Sequence, residues 1–497
     1  MNFYEKKLKK GKDLQECEVL IEMDRIKLFI ENFVIYGLGG IIGKMIPFFI
    51  LPIITRLLPD SYYMGISDLS NTLISFAEAI VVLGMYDAMF RMFFERKEIN
   101  YQQEICSSAL IVVLISSVII SLLMFFFRES LAVLIFGDKA YSKLIIIGAW
   151  AVFFGGSNTI IAAPTRMRNK RKIYLFTNFF SPAVAYAVAI ILILKGNYLY
   201  ALPFGQMLAA FLTEGIFLYY NKNWFSFRNV HKKHIYDMLK LGLPLLPSFL
   251  IYWIFNSSDR LMIASILGIE YAGIYAVGSK IGHISQLIYI AFSGGWKYFA
   301  FSTMRDRDQV ELTSHVFEYL GTISLAATIL VMLGTKLLFV PLFGEAYAPA
   351  AVTVPYLFLA PLMQMLFQVA TNQFLVIRMT WPGSLILLIG AIGNIALNAA
   401  LIPRLGIEGA AVATLAGFTI SVAVGALVLQ NMGLFRMPLR FLGMAGLFLL
   451  FLLGNRLMEL SFFASAFFGV VVIGSYLFTY RNELRTIGYM IKGKNVQ

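Results

Sequence analysis

The sequence predicts an all-α integral membrane protein with fourteen transmembrane helices, which form two pseudo-two-fold-related six-helix lobes and a C-terminal helix pair. Three observations lead to this fold class: an apolar composition, apolar segments of bilayer length, and an internal repeat. Of the 497 residues, 59% are hydrophobic and 14% are charged. In soluble domains, about 45–50% of the residues are apolar and about 25% are charged. The apolar excess therefore indicates that lipid surrounds most of the chain.

Apolar segments long enough to cross a bilayer as helices, about 20 residues each, follow one another along the chain. Charged residues, Pro and Gly interrupt them, and these interruptions set the predicted boundaries. The fourteen predicted helices lie near 31–55, 63–90, 106–127, 143–163, 173–194, 199–220, 239–266, 271–298, 313–333, 350–376, 382–402, 407–430, 438–455 and 460–479.

The predicted helices divide the chain into six parts. No gap between helices is long enough for a soluble catalytic domain, and the sequence contains no P-loop, zinc-type Cys/His spacing or nucleophile elbow. We therefore expect a protein that is not an enzyme. The six parts are a basic arm (1–29), an N-lobe with helices 1–6 (30–222), a linker (223–235), a C-lobe with helices 7–12 (236–431), helices 13 and 14 (432–480) and a tail (481–497).

The basic residues predict the orientation in the membrane. Most of the 41 Lys and Arg residues fall in the arm, the even-numbered loops and the tail, which places both termini in the cytoplasm. The net charge of +13 is then a topology signal and predicts no nucleic-acid partner. The arm is charged for too long to be a signal peptide, and Cys17 and Cys106 form no disulfide framework. We expect a multi-pass protein of the cytoplasmic membrane.

An internal repeat relates the two lobes with an offset of 207 or 208 residues. The segment FGDKAY at 136–141 returns as FGEAYA at 343–348, and YMGI at 63–66 returns as YAGI at 271–274. Each unit holds six predicted helices, an even number, so both have the same orientation and are related by an axis along the membrane normal. Helices 13 and 14 are an addition to this pair.

Polar residues form matched rows in the second and eighth predicted helices. Spacings of three and four place the residues of each row on one helix face. Each row either hydrogen-bonds to neighbouring helices or turns toward the two-fold axis and lines a shared cleft. The second helix carries Ser67, Asn71, Ser75 and Glu78, the eighth carries Tyr275, Ser279, His283 and Gln286, and further rows are Gln364, Gln368 and Asn372, and Asn394 and Asn398.

Lys44 and Glu78 fall at a similar depth, on either side of the turn near Asp60. A charged residue in the middle of a bilayer costs about 2.5–3.5 kcal/mol and requires a partner or water. Two interpretations follow from this. Lys44 and Glu78 form a structural ion pair, or Lys44 faces the cleft as an anion site and Glu78 sets its charge state.

Asp259 and Arg260 are adjacent in the seventh helix, and Lys280 follows the turn near Leu267 at a similar depth. Neighbours on a helix point about 100° apart, so Asp259 and Arg260 pair poorly with each other. An Asp259–Lys280 pair is the economical arrangement, and it leaves Arg260 without an evident partner. A guanidinium group is suited to bind phosphate oxygens, so the positive excess at this depth suits an anionic headgroup.

Two further acidic residues are interpreted as interfacial. Asp68 is either a coupling-ion site or an interfacial residue, and we favour the second interpretation. Arg56 and Asp60, at i and i+4, are most simply an ion pair at the outer interface.

Two stretches resemble a known family. They are IYGLGGIIGKMIPFFILPIITRLLPDSYYMGI at 35–66 and DRLMIASILGIEYAGIYAVGSKI at 259–281. With their "LPxITRLL" and "DRxxIxxxLG…GxY" runs, they resemble the Wzx-type flippases, the polysaccharide-transporter branch of the MOP superfamily. The resemblance extends over roughly residues 30 to 480.

The resemblance implies a V-shaped pair of lobes, as in MOP and MATE transporters, with alternating access and a cationic central cavity. The cavity would bind the diphosphate and sugar of a polyprenyl-linked oligosaccharide. The positions that match the charged pattern are Lys44, Asp259, Arg260 and Lys280. The family often has arginine where this chain has Lys44, and a lysine lacks the guanidinium fork that favours bidentate phosphate binding.

The predicted function is therefore the flipping of polyprenyl-diphosphate-linked repeat units for surface polysaccharide synthesis. The expected partners are the lipid-linked oligosaccharide, membrane lipids and, as an open alternative, a polysaccharide polymerase. No cofactor is expected, and H⁺ or Na⁺ coupling stays open. The alternatives are a MATE-like ion-coupled drug antiporter, which would favour an acidic cavity, and a flippase for the peptidoglycan precursor lipid II. A membrane polymerase or ligase would require a larger external loop than the sequence contains.

Overall fold

The computed structural model describes residues 45–303, 308–379, 381–483 and 485, and within these ranges it contains helices and no strand. Twelve helical stretches in the described part of the chain are long and apolar enough to span a membrane. The helices that matter here are α1 (Met45–Leu57), α2 (Ser61–Val82), α3 (Ile99–Phe126), α4 (Ser142–Ile161), α5 (Arg171–Leu194), α6 (Tyr198–Asn221), α7 (Leu246–Ile266), α8 (Ile269–Gly282, continued by Ser285–Ser302), α9 (Gln309–Phe343), α10 (Val354–Val376), α11 (Trp381–Leu405), α12 (Ile407–Asn431), α13 (Leu439–Leu457) and α14 (Phe462–Thr479).

The all-helical membrane fold is thus confirmed. The count of fourteen spans stays a prediction for two reasons. Met45 is the first described residue, and α8 consists of two segments separated at His283 and Ile284.

The loops lie on two faces of the helix bundle. The face that carries the basic segments after α2, α4, α6, α10, α12 and α14 is called the basic face. The opposite face, with the tight turns at residues 58–60, 195–197, 267–268, 406 and 458–461, is called the turn face. The turns begin and end helices by local chemistry. For example, the Asp60 carboxylate accepts a hydrogen bond of 2.9 Å from the Tyr62 backbone N–H and caps α2.

Each lobe has its own apolar core. In the N-lobe, buried side chains of α2, α3 and α4 pack together, including Ile66, Val113 and Val152. A larger core joins α7 through α12 in the C-lobe. The additional helices α13 and α14 contribute Phe448 and Tyr476 to this second core and pack on α9. They are therefore an extension of the C-lobe.

Two glycines mark the place where the lobes meet. Gly65 on α2 and Gly273 on α8 occupy equivalent positions in the repeat and face each other. A Cβ atom on Gly273 would lie 1.9 Å from the Ser61 carbonyl oxygen, and one on Gly65 would lie 2.1 Å from the Ile269 carbonyl oxygen. Only hydrogen fits at such a crossing, as at other close helix contacts in membranes. The repeat-related helices α2 and α8 therefore cross near the turn face.

A third apolar core seals the lobes together at the turn face. It joins Leu51 and Ile54 of α1 to Ala276 and Val277 of α8 and to Phe343 at the end of α9.

Arg56 contributes to this seal, because its guanidinium group donates a hydrogen bond to the Pro341 carbonyl of the C-lobe. The described contacts include no Arg56–Asp60 ion pair, so that expectation was wrong. The cause is the nearby C-lobe carbonyl, which offers Arg56 a partner that sequence spacing does not reveal.

The connection between the lobes packs on the N-lobe. A separate helix, Lys232–Gly242, precedes α7, and its Met238 is buried in the N-lobe core. Its His234 lies 3.1 Å from Glu104 of α3. At its end, Gly242 contacts Gly84, just after α2. This segment ties the two lobes together on the basic face.

Candidate functional site

A polar cavity of about 480 Å³ lies between the lobes. It is bounded by α1, α2, α5 and α6 of the N-lobe and by α7 and α8 of the C-lobe. The apolar seal described above separates it from the turn face. Its lining residues are Pro47, Phe48, Asn71, Tyr186, Gln206, Asn256, Ser257, Arg260, Ser279, Lys280, His283, Ile284, Gln286 and Leu287.

Arg260 links the two lobes through this cavity. Its Nε atom lies 2.7 Å from Oδ2 of Asp68 on α2. Its other guanidinium nitrogens donate to the Asn256 carbonyl and, over 3.1 Å, to the Ser279 hydroxyl. The side chains of Arg260 and Asp68 are only 16% and 8% exposed. The pair is therefore shielded from water. In such surroundings the attraction between the two charges is stronger than at the protein surface.

Asp68 is thus the partner that the sequence left unassigned. The interpretation of Asp68 as an interfacial residue is wrong, because its side chain is buried and paired with Arg260. In the structure it lies one helical turn below the Gly65–Gly273 crossing, which brings α2 close enough to α7 for the ion pair. The useful signal in the sequence was its position on the helix that carries the polar row, one residue beyond Ser67.

Asp259 belongs to the C-lobe interior. Its carboxylate accepts a hydrogen bond from the Tyr275 hydroxyl and one of 2.8 Å from the Arg260 backbone N–H. The predicted Asp259–Lys280 ion pair is therefore wrong. Asp259 is 3% exposed and does not line the cavity. It points toward Tyr275 because adjacent helix residues diverge, so only Arg260 faces the gap between the lobes.

Lys280 is the cation in the cavity that remains available. In the described part of the chain, its ammonium group makes no hydrogen bond or ion pair. It lies within electrostatic range of both Asp68 and Arg260. Among the described residues, the cavity lining therefore carries the two cations Arg260 and Lys280 beside the neutral donors and acceptors of Asn71, Gln206 and Gln286, and Asp68 lies behind Arg260.

A second cavity, of about 810 Å³, continues from the first within the N-lobe. Pro47, Tyr186 and Gln206 line both. The larger cavity extends between α4, α5 and α6 to Arg166 at the basic face. Interior prolines, one in α5 and one in α6, interrupt these helices and can bend them there. The two cavities therefore adjoin each other between Arg166 at the basic face and Arg260, with polar side chains such as Gln206 along the way.

Six of the eleven residues predicted for the cleft line the central cavity. Two of them, Asn71 and Ser279, are equivalent in the repeat, as expected for rows that face a common axis. Lys44 lies outside the described residues, so neither of its interpretations is resolved. The six lining residues are Asn71, Arg260, Ser279, Lys280, His283 and Gln286.

Three further predicted residues, besides Asp259, lie away from the cavity. Glu78 packs in the N-lobe against Gly155 of α4. A Cβ atom added to Gly155 would lie 1.8 Å from Oε1 of Glu78. Gln364 interacts with Tyr252, and Gln368 donates a hydrogen bond of 2.9 Å to Ser293. For these three, the helix-contact alternative describes the structure. The reason is rotation, because α2 and α10 turn these positions toward neighbours in their own lobe.

Sequence reasoning missed the N-lobe contribution from α5 and α6. Tyr186 and Gln206 line both cavities, and Asn256 lies one turn before Arg260 on α7. Gln206 had a detectable signal, since it is an amide within an otherwise apolar predicted span.

Trp253 was missed as well. Its indole N–H donates to the Thr72 carbonyl over 3.3 Å and to the Ser75 hydroxyl over 3.1 Å. It therefore closes the gap between α7 and α2.

The described helices define a multi-pass membrane protein with a polar cavity between two groups of helices. Residues 29–296 match the family described as "Polysaccharide biosynthesis protein". This match covers more than half of the chain, and the chain belongs to that family. No curated protein shows significant sequence similarity to it.

Solved structures support the fold assignment. The chain is similar to the lipid II flippase MurJ in an inward closed conformation, with a TM-score of 0.68, 15% identity and coverage of 92% of this chain and 99% of that chain. The chain is also similar to an inward-facing MATE family multidrug resistance transporter of the MOP superfamily, with a TM-score of 0.63, 14% identity and coverage of 79% of this chain and 98% of that chain. For an outward-facing MATE family transporter, the TM-score is 0.55, the identity is 15%, and the match covers 80% of this chain and 95% of that chain.

Proposed function

We propose that the protein is a flippase for polyprenyl-diphosphate-linked oligosaccharide repeat units in surface polysaccharide synthesis. One observation carries the proposal: Arg260 and Lys280 share a cavity with uncharged hydrogen-bonding side chains, at the interface of two lobes with apolar exteriors. Cations suit the diphosphate, and amides and hydroxyls suit the sugars. Membership of the polysaccharide biosynthesis family supports a substrate of this kind.

Transfer energetics explain why such a substrate requires a polar path. Each hydroxyl group that enters hydrocarbon without a hydrogen-bond partner costs about 4–8 kcal/mol, so an oligosaccharide does not cross a bilayer unaided. The central and N-lobe cavities supply partners from Gln206 to Arg260. The prenyl tail can stay in the lipid outside the gap between the lobes, since it costs nothing to leave it there.

Asp68 gives this mechanism a switch. In the sealed state it occupies Arg260, while Lys280 is available to an entering anion. A diphosphate bound at Lys280 would compete with the Asp68 carboxylate for the guanidinium group, because both are oxyanions. Loss of the Asp68–Arg260 pair would remove one tie between the lobes beneath the turn-face seal. Rocking of the lobes would then open the cavity to the turn face.

We further propose the cytoplasmic membrane as the location, with the basic face toward the cytoplasm. The energy for transport would come from an H⁺ or Na⁺ gradient or from consumption of the product outside. A polysaccharide polymerase is the partner whose reaction would consume the flipped substrate. These points rest on charge distribution and substrate chemistry.

Transport by the Arg260→Ala variant tests the proposal. The assay is translocation of a fluorescent polyprenyl-diphosphate oligosaccharide in liposomes that contain the purified protein. We expect the variant to lose transport while Arg404→Ala, an exposed arginine on the turn face, retains it. Equal transport by Arg260→Ala and the unmodified protein would refute the proposed role of the cavity.

A lipid II flippase is the second candidate, favoured by the similarity to MurJ over 92% of this chain. The same liposomes, loaded with labelled lipid II, distinguish the two substrates. Transport of lipid II without transport of the oligosaccharide lipid would replace the first proposal with the second. A drug antiporter fits less well, because the described cavity has more cations than carboxylates, and a drug-sensitivity panel tests it.

A further inference from the structure

A second charged cavity lies at the turn face of the C-lobe, away from the gap between the lobes. Its volume is about 590 Å³, and it lies between α9, α10, α12 and α13. Two basic residues, Lys336 and Arg456, and one acidic residue, Glu408, line it. Apolar side chains such as Met332 and Leu452 form much of the remaining wall, and Thr335 and Asn455 add polar groups. It shares no lining residue with the central cavity.

Arg456 presents unused donors to this cavity. Its Nε lies 2.8 Å from both carboxylate oxygens of Glu408, which also accepts a hydrogen bond of 3.1 Å from the Tyr356 hydroxyl. The terminal nitrogens of the Arg456 guanidinium group have no partner among the described residues. The side chain is 47% exposed, whereas Glu408 is 7% exposed. The carboxylate therefore orients the guanidinium group and leaves its outer edge free.

Lys336 adds a second positive charge without a neighbouring acid. Its ammonium group donates to Asn455 Oδ1 at 2.9 Å, to the Leu460 carbonyl at 2.8 Å and to the Ser465 hydroxyl at 2.6 Å. All three acceptors are uncharged, so the lysine charge is solvated but not neutralised.

Glu459 is an acidic residue close to Arg456. It is within electrostatic range of Arg456, but it lies in the turn after α13, outside the lining of the cavity. The lining itself therefore carries two cations against one carboxylate.

The depth of these groups indicates the ligand. Arg456 is the second-to-last residue of α13. Glu408 is the second residue of α12, and Tyr356 is the third residue of α10. All three helix ends are at the turn face, where lipid headgroups meet the protein. A ligand that fits combines a phosphate for Arg456 with a hydrocarbon chain for the apolar walls. If the ion pair only fixed α13 to α12, it would require neither the cavity nor the free guanidinium edge.

We propose that this pocket binds the phosphate of an anionic membrane lipid, with Arg456 as the main ligand and Lys336 as the second charge. The site is independent of transport in the central cavity. Two sources can supply the phosphate: a phospholipid such as phosphatidylglycerol, or a polyprenyl phosphate. Their shared chemistry is a phosphate ester on a long apolar chain.

Native mass spectrometry of the purified full chain in detergent tests the proposal. The probes are phosphatidylglycerol, polyprenyl phosphate, zwitterionic phosphatidylcholine and inorganic phosphate. We expect phosphatidylglycerol or polyprenyl phosphate to bind, and the one that binds more tightly identifies the source. Arg456→Gln should weaken this binding on the order of tenfold, because a charge-assisted hydrogen bond is lost. Arg404→Gln, the same change at an exposed site on the turn face, should bind as the unmodified protein does.

A further variant separates binding from structural support. Glu408→Gln removes the negative charge beside the pocket, while its amide oxygen can still accept the Arg456 Nε hydrogen bond and hold the guanidinium group. It should therefore bind the anionic lipid several-fold more tightly, whereas a purely structural ion pair predicts no gain. Arg456→Lys keeps the charge and an ion pair with Glu408, and it should bind with intermediate affinity even if Arg456→Gln folds poorly. Equal binding of phosphatidylglycerol and phosphatidylcholine, or binding of inorganic phosphate alone, would overturn the proposal. So would unchanged lipid binding in Arg456→Gln.

Discussion

Arg260 of the C-lobe and Asp68 of the N-lobe form an ion pair, with 2.7 Å between Nε and Oδ2. The pair crosses the interface between the lobes, directly beside the central cavity. It joins α7 to α2 one helical turn below the Gly65–Gly273 crossing. The charge that is best suited to hold a substrate anion is therefore also a charge that holds the two lobes together.

Removal of this pair should open the turn face. Loss of one partner of a buried ion pair costs about 3–5 kcal/mol, and both side chains are largely buried. We expect Asp68→Ala to lower the thermal stability and to increase the distance between the lobes at the turn face. Electron–electron distance measurements between spin labels at Glu129→Cys and Glu345→Cys, with Cys17 and Cys106 replaced by serine, would record this change.

A charge exchange is the matched control for this experiment. The double variant Asp68→Arg/Arg260→Asp restores opposite charges, so it should recover part of the closed-state distance. It should not recover transport, because the cation has moved to the other lobe. An unchanged distance in Asp68→Ala would show that the apolar seal alone closes the turn face.

A methyl group at the helix crossing should separate α2 from α8. A Cβ atom at Gly273 would lie 1.9 Å from the Ser61 carbonyl oxygen. Although an alanine in a helix is otherwise more stable than glycine by about 0.5–1 kcal/mol, we expect Gly273→Ala to destabilise the protein. Thermal unfolding in detergent measures the sign of the effect.

Gly334→Ala provides the control for the glycine experiment. Gly334 lies within α9, and no atom lies within 4 Å of the position that an alanine Cβ would take there. This variant should gain stability or stay unchanged. If Gly273→Ala and Gly334→Ala behave alike, the two lobes do not meet at the glycine crossing.

Lys280 should contribute to anion binding and little to stability. It makes no hydrogen bond or ion pair in the described part of the chain, and it faces the cavity. We expect Lys280→Gln to weaken binding of the polyprenyl-diphosphate oligosaccharide by roughly tenfold, as for loss of one charge-assisted hydrogen bond. Equilibrium binding in detergent tests this, with Lys143→Gln, at an exposed site on the turn face, as the control. Identical affinities of the two variants would remove Lys280 from the binding site.

Glu78 should matter for energy coupling if protons drive transport. No hydrogen bond or ion pair to Glu78 is found among the described residues, so its carboxyl group can gain or lose a proton without breaking a contact there. We expect Glu78→Gln to bind substrate normally but to lose acceleration by an imposed pH gradient in liposomes. Glu214→Gln is the control, since Glu214 accepts a hydrogen bond of 2.7 Å from Ser157 in the same lobe. If Glu78→Gln keeps the full response, another group or Na⁺ provides the coupling.

The cavity could be predicted from the sequence only in part. Repeat-matched polar rows on α2 and α8 predicted that Asn71 and Ser279 face a common space, and both line the cavity. The same rows failed for Glu78, which packs on Gly155. A row predicts which residues share a helix face. It does not give the rotation of that face, which depends on the neighbouring helices.

The partners of the charged residues could not be predicted at all. Depth in the membrane suggested Asp259 with Lys280, whereas the structure pairs Asp259 with Tyr275 and Arg260 with Asp68. Many charges share one depth in a chain with this many membrane helices. The choice among them depends on a few ångströms of helix separation.

The sequence by itself determined the membrane class, the helical fold and the twofold repeat, because hydropathy and repeat spacing are properties of the chain and require no knowledge of contacts. It also marked Arg260 and Lys280 as charges that must find polar surroundings. Only the tertiary structure decided which helices meet, that Asp68 is the partner of Arg260, and that a second basic pocket lies at the turn face. The physical reason is distance: an ion pair or cavity joins residues far apart in the chain, and packing at crossings such as Gly65–Gly273 sets whether they meet.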